Sequence, residues 1–370
     1  MAGTTIFSTM SALAAETGAI NLSQGFPDFP LDPEFKVALS EQLSRPVHQY
    51  APMQGLLPLR ETISEIIERQ YKRTIGPENI LITAGATQAI FTTIQALVSR
   101  GDEVITIDPA YDCYRPAVDL AGGEAIHIPL TEAFEPDMEK LSSAMNMKTR
   151  MLILNNPHNP SGTVFTKKQM DALSSLLERF PECLILADEV YEFICFSNEA
   201  VSLNGYPQLW DRSIIISSFG KTLHITGWKV GYLTAPDRLL TEIKKVHQFL
   251  VFSVNHFAQA AIHQYLQHFD LKALSSFFAA KRDILQTYIE RSGLKLMPCR
   301  GTYFQVVDIT GVTAENDVDY AVWLTKMAGL ATIPLSVFYN SPEAPRHYLR
   351  LCFAKEENTL HRAGAILCGI

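Results

Sequence analysis

The sequence predicts an α/β fold with a second, smaller α+β domain, and three observations lead there. Between residues 80 and 235 short apolar runs alternate with helical stretches. Continuous apolar strands interleaved with helices imply a mostly parallel sheet covered on both faces. The chain has 370 residues, 47% of them hydrophobic, which is long for one core and suggests about two domains. From about residue 293 the texture changes, and strand-like pieces alternate with helices in a shorter rhythm.

Taken in order, Phe7 to Ala15 has helical spacing, and Ile20 to Pro30 is a turn-rich extended segment because Gly25, Pro27 and Pro30 interrupt it. Residues 31–45 predict a helix, His48 to Gly55 a loop, and Leu57 to Tyr71 an amphipathic helix. Ile80 to Thr83 is a short apolar strand, followed through Ala84-Gly85-Ala86-Thr87 by a helix to about Ser99. Further strands are expected at Val104–Ile107, Met151–Leu154, Leu184–Ala187, Ser213–Ile216 and Val230–Ala235. Residues 237–292 predict long helices. Strands Thr302–Val307 and Tyr348–Phe353 then alternate with helices Asp317–Met327 and Glu357–Cys368. The expected division is an N-terminal arm, 1–30, joining the small domain; a large domain, 31–270; and a small C-terminal domain, 271–370.

Composition excludes some classes. The formal net charge of −8 argues against a general nucleic-acid binder, which would carry a basic stripe. Six scattered cysteines without a C-x-x-C pair predict reduced thiols and a cytoplasmic setting. No apolar run reaches membrane-spanning length, and the N-terminus lacks the basic and apolar regions of a signal peptide. No metal site is expected.

The chemistry centres on Lys221, in Ser217-Ser218-Phe219-Gly220-Lys221, just past an apolar strand. Ligands of open α/β sheets bind outside the carboxyl ends of the strands. A partly desolvated lysine there favours its neutral amine, which attacks carbonyls to form a Schiff base. This suggests pyridoxal 5'-phosphate on Lys221; a lone surface lysine in a glycine-containing loop is the alternative, and neighbouring motifs weigh against it. Gly85-Ala86-Thr87 lies between a strand and a helix, where backbone N–H groups attract phosphate, or where glycine merely makes a turn. Asp188 ends a buried strand and suits a pyridinium nitrogen, or it caps the next helix. Tyr191 and Asn159 suit the phenolic oxygen of such a ring, although Asn159 also fits plain turn chemistry. Tyr111 follows a strand end and could stack on the ring or belong to the core. Ser218 and Lys229 suit phosphate. Arg350, inside an apolar strand, suits the α-carboxylate of an amino acid or a structural ion pair.

Together, Asn21 to Pro30, Ile82 to Ala89, Asp108 to Tyr114, Asn155 to Gly162, Asp188 to Tyr191, Ser217 to Gly231 and Leu349 to Leu360 resemble class I aminotransferases of pyridoxal phosphate fold type I. The resemblance covers nearly the whole chain. It is nearest to the branch of methionine aminotransferases and of kynurenine aminotransferase/glutamine transaminase K. It implies a large domain with a mostly parallel seven-stranded sheet, and a homodimer with shared active sites. It makes Lys221 the Schiff-base lysine and base, with Asp188 at the pyridine nitrogen and Tyr191 and Asn159 at the phenolic oxygen. Gly85, Ala86, Thr87, Ser218 and Lys229 would hold the phosphate, and Tyr111 the ring. Arg350 would take the substrate carboxylate and Gly25 a backbone contact, with Phe7, Phe26 and Phe338 around the substrate. Tyr50 would reach the partner's phosphate and Phe252 the partner's pocket. Thr87, where kynurenine aminotransferases carry an aromatic, and Phe7, where they carry a tryptophan, depart from that group, while Ser217 to Tyr232 and Ile333 to Phe338 look more like methionine aminotransferases. The expected activity moves the amino group of methionine or another large neutral amino acid to a 2-oxo acid. The alternatives are kynurenine or glutamine as main donor, a pyridoxal phosphate β-lyase acting on cysteine S-conjugates, and an aminotransferase-like transcription regulator. The segment ahead of Gly25 is expected to be too short for the latter's DNA-binding domain.

Overall fold

A computed structural model describes residues 6–197, 201–341 and 343–370. Its centre is a seven-stranded sheet. In spatial order the strands are Ile80–Thr83, Gly231–Thr234, Ser213–Ser218, Leu184–Asp188, Thr149–Asn155, Glu103–Asp108 and Glu124–Pro129. Gly231–Thr234 runs antiparallel to both of its neighbours; the other pairings are parallel. Its reversal follows from the connection before it. Residues 219–230 hold only the single helical turn Phe219–Thr222 and the 3₁₀ turn Thr226–Trp228, too little for a crossover helix. Four strands, Ile80–Thr83, Gly231–Thr234, Ser213–Ser218 and Leu184–Asp188, are buried along their whole length, in keeping with their mostly apolar sequences.

Helices cover both faces. Gly85–Leu97 and Asp237–Leu250 pack on one side, where Ile90, Ile94, Leu239 and Ile243 meet Leu81, Val104, Ile153 and Leu186. On the other, Leu59, Ile63, Met170 and Leu173 pack over Ile82, Ile105, Leu152 and Ile185.

A second, four-stranded antiparallel sheet runs in the order Ile333–Pro334, Tyr348–Cys352, Phe304–Asp308, Lys295–Leu296. The N-terminal segment joins this end of the molecule, with Ile20–Asn21 pairing in parallel with Leu330–Ala331. The Leu22 carbonyl also accepts from the Cys352 amide at 2.8 Å.

Several elements depart from the sequence expectation. Glu124–Pro129 is an edge strand that the apolar-run criterion missed, because its half-exposed positions mix Glu124 and His127 with Ile126 and Ile128. Helices Tyr114–Ala121, Met138–Ala144 and Lys167–Glu178 were likewise unassigned. The predicted helix Asp317–Met327 is α-helical only to Trp323 and continues as a π-turn, Leu324–Ala328. Strand Phe304–Asp308 starts two residues later than expected, since Thr302 takes a left-handed φ of 66°.

Candidate active site

Five strand ends converge on one cavity, lined among others by Gly85, Ala86, Thr87, Tyr111, Asn159, Asp188, Tyr191, Ser218, Lys221 and Lys229. All are supplied from the carboxyl edge of the large sheet, where parallel packing leaves a crevice outside the strands.

The wall of Gly85-Ala86-Thr87 is the first turn of helix Gly85–Leu97, whose N-cap, Ala84, has no side-chain oxygen to cap it. First-turn amides lack intrahelical acceptors and point outward beside the positive end of the helix dipole. Gly85 has a φ of +76°, and a Cβ there would lie 3.4–3.5 Å from the Lys229 Cε and Nζ. Lys229 itself is left-handed, with φ 54°. Gly231 is forced by proximity, because a Cβ would fall 2.8 Å from the Ser217 carbonyl and 3.1 Å from the Ala86 amide. Amides of Ala86 and Thr87, hydroxyls of Thr87 and Ser218, and the ammonium of Lys229 thus form a donor set with no acid in it. That fits a dianionic phosphate.

At the other end Asp188 is 3% exposed. Burial raises its pKa, while a 2.6 Å hydrogen bond from the Tyr114 hydroxyl and a weaker one from the Val190 amide work the other way. A buried carboxylate with only neutral donors is suited to a cationic partner such as a pyridinium N–H. The Asp188 carbonyl accepts from Asn155 Nδ2 at 2.7 Å, and Asn155 Oδ1 accepts from the Asn159 amide at 2.7 Å, so two strand ends share one side chain. Tyr191 is 2% exposed, and burial pushes its hydroxyl pKa up. The loop carrying it is anchored by two further buried acids. Glu189 accepts from the Leu203 amide and the Ser202 hydroxyl, and Glu192 from the hydroxyls of Tyr71, Ser217 and Tyr232. Burial pushes Glu189 up to about 8.

Lys221 donates to the Tyr303 hydroxyl at 3.0 Å and to the Gly25 carbonyl at 3.3 Å. Burial lowers its pKa to about 8, with Cys352 working against the shift and Arg350 and Lys229 with it. The amine is therefore far more available near neutrality than that of a solvated lysine.

Arg350 is 1% exposed. One terminal nitrogen donates to Asn159 Oδ1 at 2.9 Å and the other to the Ser23 carbonyl at 3.0 Å. Its Nε is buried without a partner, and among the described residues no carboxylate lies within ion-pair distance. The structural ion pair that the sequence left open is absent there. The guanidinium carbon sits 3.9 Å from the Phe304 ring centroid and 5.3 Å from those of Phe7 and Phe338. Phe7 and Phe338 meet edge-on at 5.6 Å, and the Ala110 amide donates to the Phe338 carbonyl at 2.7 Å. Phe26 is 42% exposed, with its carbonyl and ring both against Lys355 Nζ.

Tyr50 and Phe252 are not brought into this cavity. They pack edge-on against each other at 5.5 Å, outside it, with Tyr50 83% exposed. Conversely, sequence reasoning missed Tyr303, Tyr114, Asn155 and Phe304. Asn155 and Tyr114 lie inside motifs already singled out, beside a strand end. Tyr303 and Phe304 read as ordinary strand aromatics, and only the tertiary contact distinguishes them.

Comparison with known proteins points to one family. The family model for aminotransferase class I and II matches residues 17–366. Methionine aminotransferase of Escherichia coli (strain K12) is 46% identical over 365 residues, covering 97% of this chain and 94% of that protein. Kynurenine–oxoglutarate transaminase 1 of Mus musculus is 33% identical over 397 residues, covering 96% and 93%. The solved structure of YbdL from Escherichia coli, reported to have a methionine aminotransferase function, superposes with a TM-score of 0.96 at 44% identity, covering 100% of both chains. With its fold and nearly its full length shared in this way, the chain belongs to the class I and II aminotransferase family, as an enzyme of fold type I that uses pyridoxal 5'-phosphate.

Proposed function

We propose that this aminotransferase takes methionine and other large neutral amino acids as donors, with Lys221 as its catalytic base. The observation that carries the reading is Arg350, a buried guanidinium with no carboxylate partner among the described residues, collared by aromatic rings beside a buried lysine amine. Bound in the cavity, pyridoxal phosphate supplies an electrophilic carbonyl and a protonated ring that accepts the electron pair left at Cα. Arg350 holds the substrate carboxylate bidentately, aided by Asn159 and the Gly25 backbone. Lys221 would be the base that takes the substrate Cα proton and the acid that gives it back to the cofactor-bound end of the substrate. Asp188 would keep the ring nitrogen protonated, and Tyr191 and Asn159 would hold the phenolic oxygen. Tyr111 would stack on the ring, while Gly85, Ala86, Thr87, Ser218 and Lys229 would fix the phosphate.

Phe7, Phe26 and Phe338 are the aromatic residues we assign to the side-chain pocket, and the edge-on contact of Phe7 with Phe338 beside Arg350 supports this. Burying a thioether or aromatic side chain there gains about 1.5–3 kcal/mol, and sulfur packs well on aromatic rings. An acidic side chain without a partner costs several kcal/mol instead. The sequence similarity to a methionine aminotransferase supports the same choice. The test is a panel of donors at equal concentration with a common 2-oxo acid. Methionine should lead, with glutamine, phenylalanine, tyrosine, histidine and leucine behind it, and kcat/KM for aspartate at least about tenfold lower, the equivalent of about 1.4 kcal/mol. Aspartate or glutamate ahead of methionine would sink this reading of the pocket.

The functional unit is a homodimer in which Tyr50 and Phe252 complete the neighbour's site. The exposed pair at Tyr50 and Phe252, the left-handed φ of 65° at Phe252, and exposed Phe249 nearby support this. Unexplained exposed aromatics on one face mark association surfaces. Light scattering should give twice the chain mass, and Tyr50→Ala should weaken cofactor retention; a fully active monomer would remove both residues from the site. The division into arm (1–30), large domain (31–270) and small domain (271–370) is supported by the separate sheets and by the pairing of Ile20–Asn21 with Leu330–Ala331. The free cysteines fit a reducing, cytoplasmic setting, and no described helix is long and apolar enough to cross a membrane.

A further inference from the structure

Tyr303 is fully buried. It donates to the Gly25 carbonyl at 2.5 Å and accepts from Lys221 Nζ at 3.0 Å, and the Tyr191 ring stands edge-on to its own at 5.2 Å. A phenol has one donor and two acceptor positions, and here the donor and one acceptor are both used. A core tyrosine placed only for packing needs a single partner. The three groups it joins come from separate parts of the chain: the N-terminal segment, the loop after strand Leu184–Asp188, and the turn after strand Ser213–Ser218. The approach is close. A Cβ on Gly25 would lie 2.7 Å from Phe304 Cζ and 3.5 Å from Tyr303 Cε2.

We propose that Tyr303 is a positioning residue for transamination, holding the amine of Lys221 against the Gly25 carbonyl whenever that amine is not bonded to the cofactor. This rests on the reading of Lys221 as the base. A lysine amine on a four-carbon stem has many rotamers, and a base that must give and take one proton at a defined atom is slowed by each wrong one. Tyr303 and Gly25 together supply two acceptors to the amine and leave its third position free. Because Gly25 is also expected at the substrate, the post ties the resting place of the base to the segment that meets the amino acid. The other charged or titratable groups facing Lys221 are Cys352 and Arg350 from strand Tyr348–Cys352, Asp188 from its strand end, Lys229 and Tyr191.

The experiment uses the full-length Tyr303→Phe enzyme, which keeps the ring and its contacts with Tyr191 and Phe304. Two readings are taken. The first is kcat and KM with the best donor of the panel. The second is the pH dependence of Lys221 acetylation in the cofactor-free chain, followed by mass spectrometry. The wild-type labelling midpoint should lie near 8. Removing an acceptor from the ammonium disfavours the charged form, so the midpoint should fall by about one pH unit. The loss of a fixed base should lower kcat by about 10- to 100-fold, while KM stays within about threefold. An unchanged midpoint overturns the proposal whatever happens to kcat, and so does a rise in KM at constant kcat, which would make Tyr303 a substrate contact. Lys221→Ala run in parallel separates the two failures. If it retains turnover, the reading of Lys221 is at fault; if it is inactive and Tyr303→Phe behaves as wild type, only the role of Tyr303 falls.

Discussion

Lys221→Ala is expected to lower kcat by about 10⁴-fold or more, the upper range for removing a positioned proton-transfer group, with loss of covalent attachment in addition. The other lysine of the cavity cannot substitute. Lys229 is held in a left-handed turn with its amine beside Gly85, at the phosphate end. The variant should still bind pyridoxal phosphate, because the helix N-terminus at Ala86 and Thr87, the Ser218 hydroxyl and Lys229 are untouched. Borohydride reduction followed by peptide mapping should find the cofactor mass on residue 221 of the wild type and nowhere on the variant. Normal transamination by Lys221→Ala, or an adduct elsewhere in the wild type, would refute the assignment.

Arg350→Ala should reduce kcat/KM for every amino donor alike. Truncating one partner of a buried, hydrogen-bonded charge pair costs about 2–5 kcal/mol, or about 30- to 5,000-fold in rate terms. The guanidinium already spends one hydrogen bond on Asn159 and one on Ser23, which orient it and leave Nε for an incoming carboxylate. Arg350→Lys keeps the charge but not the planar fork, so it should recover only part of the loss. Cofactor content and melting temperature are measured beside the kinetics. A variant that melts early yet turns over all donors normally would show that Arg350 supports the fold and not the substrate.

The chemistry at the strand ends was legible because parallel strands are buried on both faces and their boundaries are abrupt. Leu184 to Ala187 ends in Asp188, and Ser213 to Ile216 is followed at once by Ser217, Ser218 and Lys221, so a polar residue after an apolar run marks the crevice. Edge strand Glu124–Pro129 was not legible, since half-exposed positions dilute the apolar signal. Arg350 was recognisable as a buried guanidinium. Whether it met a protein carboxylate was not, because partners 191 and 327 residues away in the chain leave no local trace.

By itself, then, the sequence determined the alternation of strand and helix, the ordered set of strand-end residues, and the family that this set resembles. Local periodicity and abrupt polarity changes carry that information over a few residues. Tertiary structure alone decided which buried polar groups answer one another. Tyr114 meets Asp188 across 74 residues, and Tyr303 meets Lys221 across 82 and Gly25 across 278. It also decided that Arg350 meets no acid among the described residues, and that Tyr50 and Phe252 lie outside the cavity of their own chain. The reason is physical: desolvation and hydrogen-bond satisfaction depend on what surrounds a group in space, and neighbours in sequence supply only a small part of those surroundings.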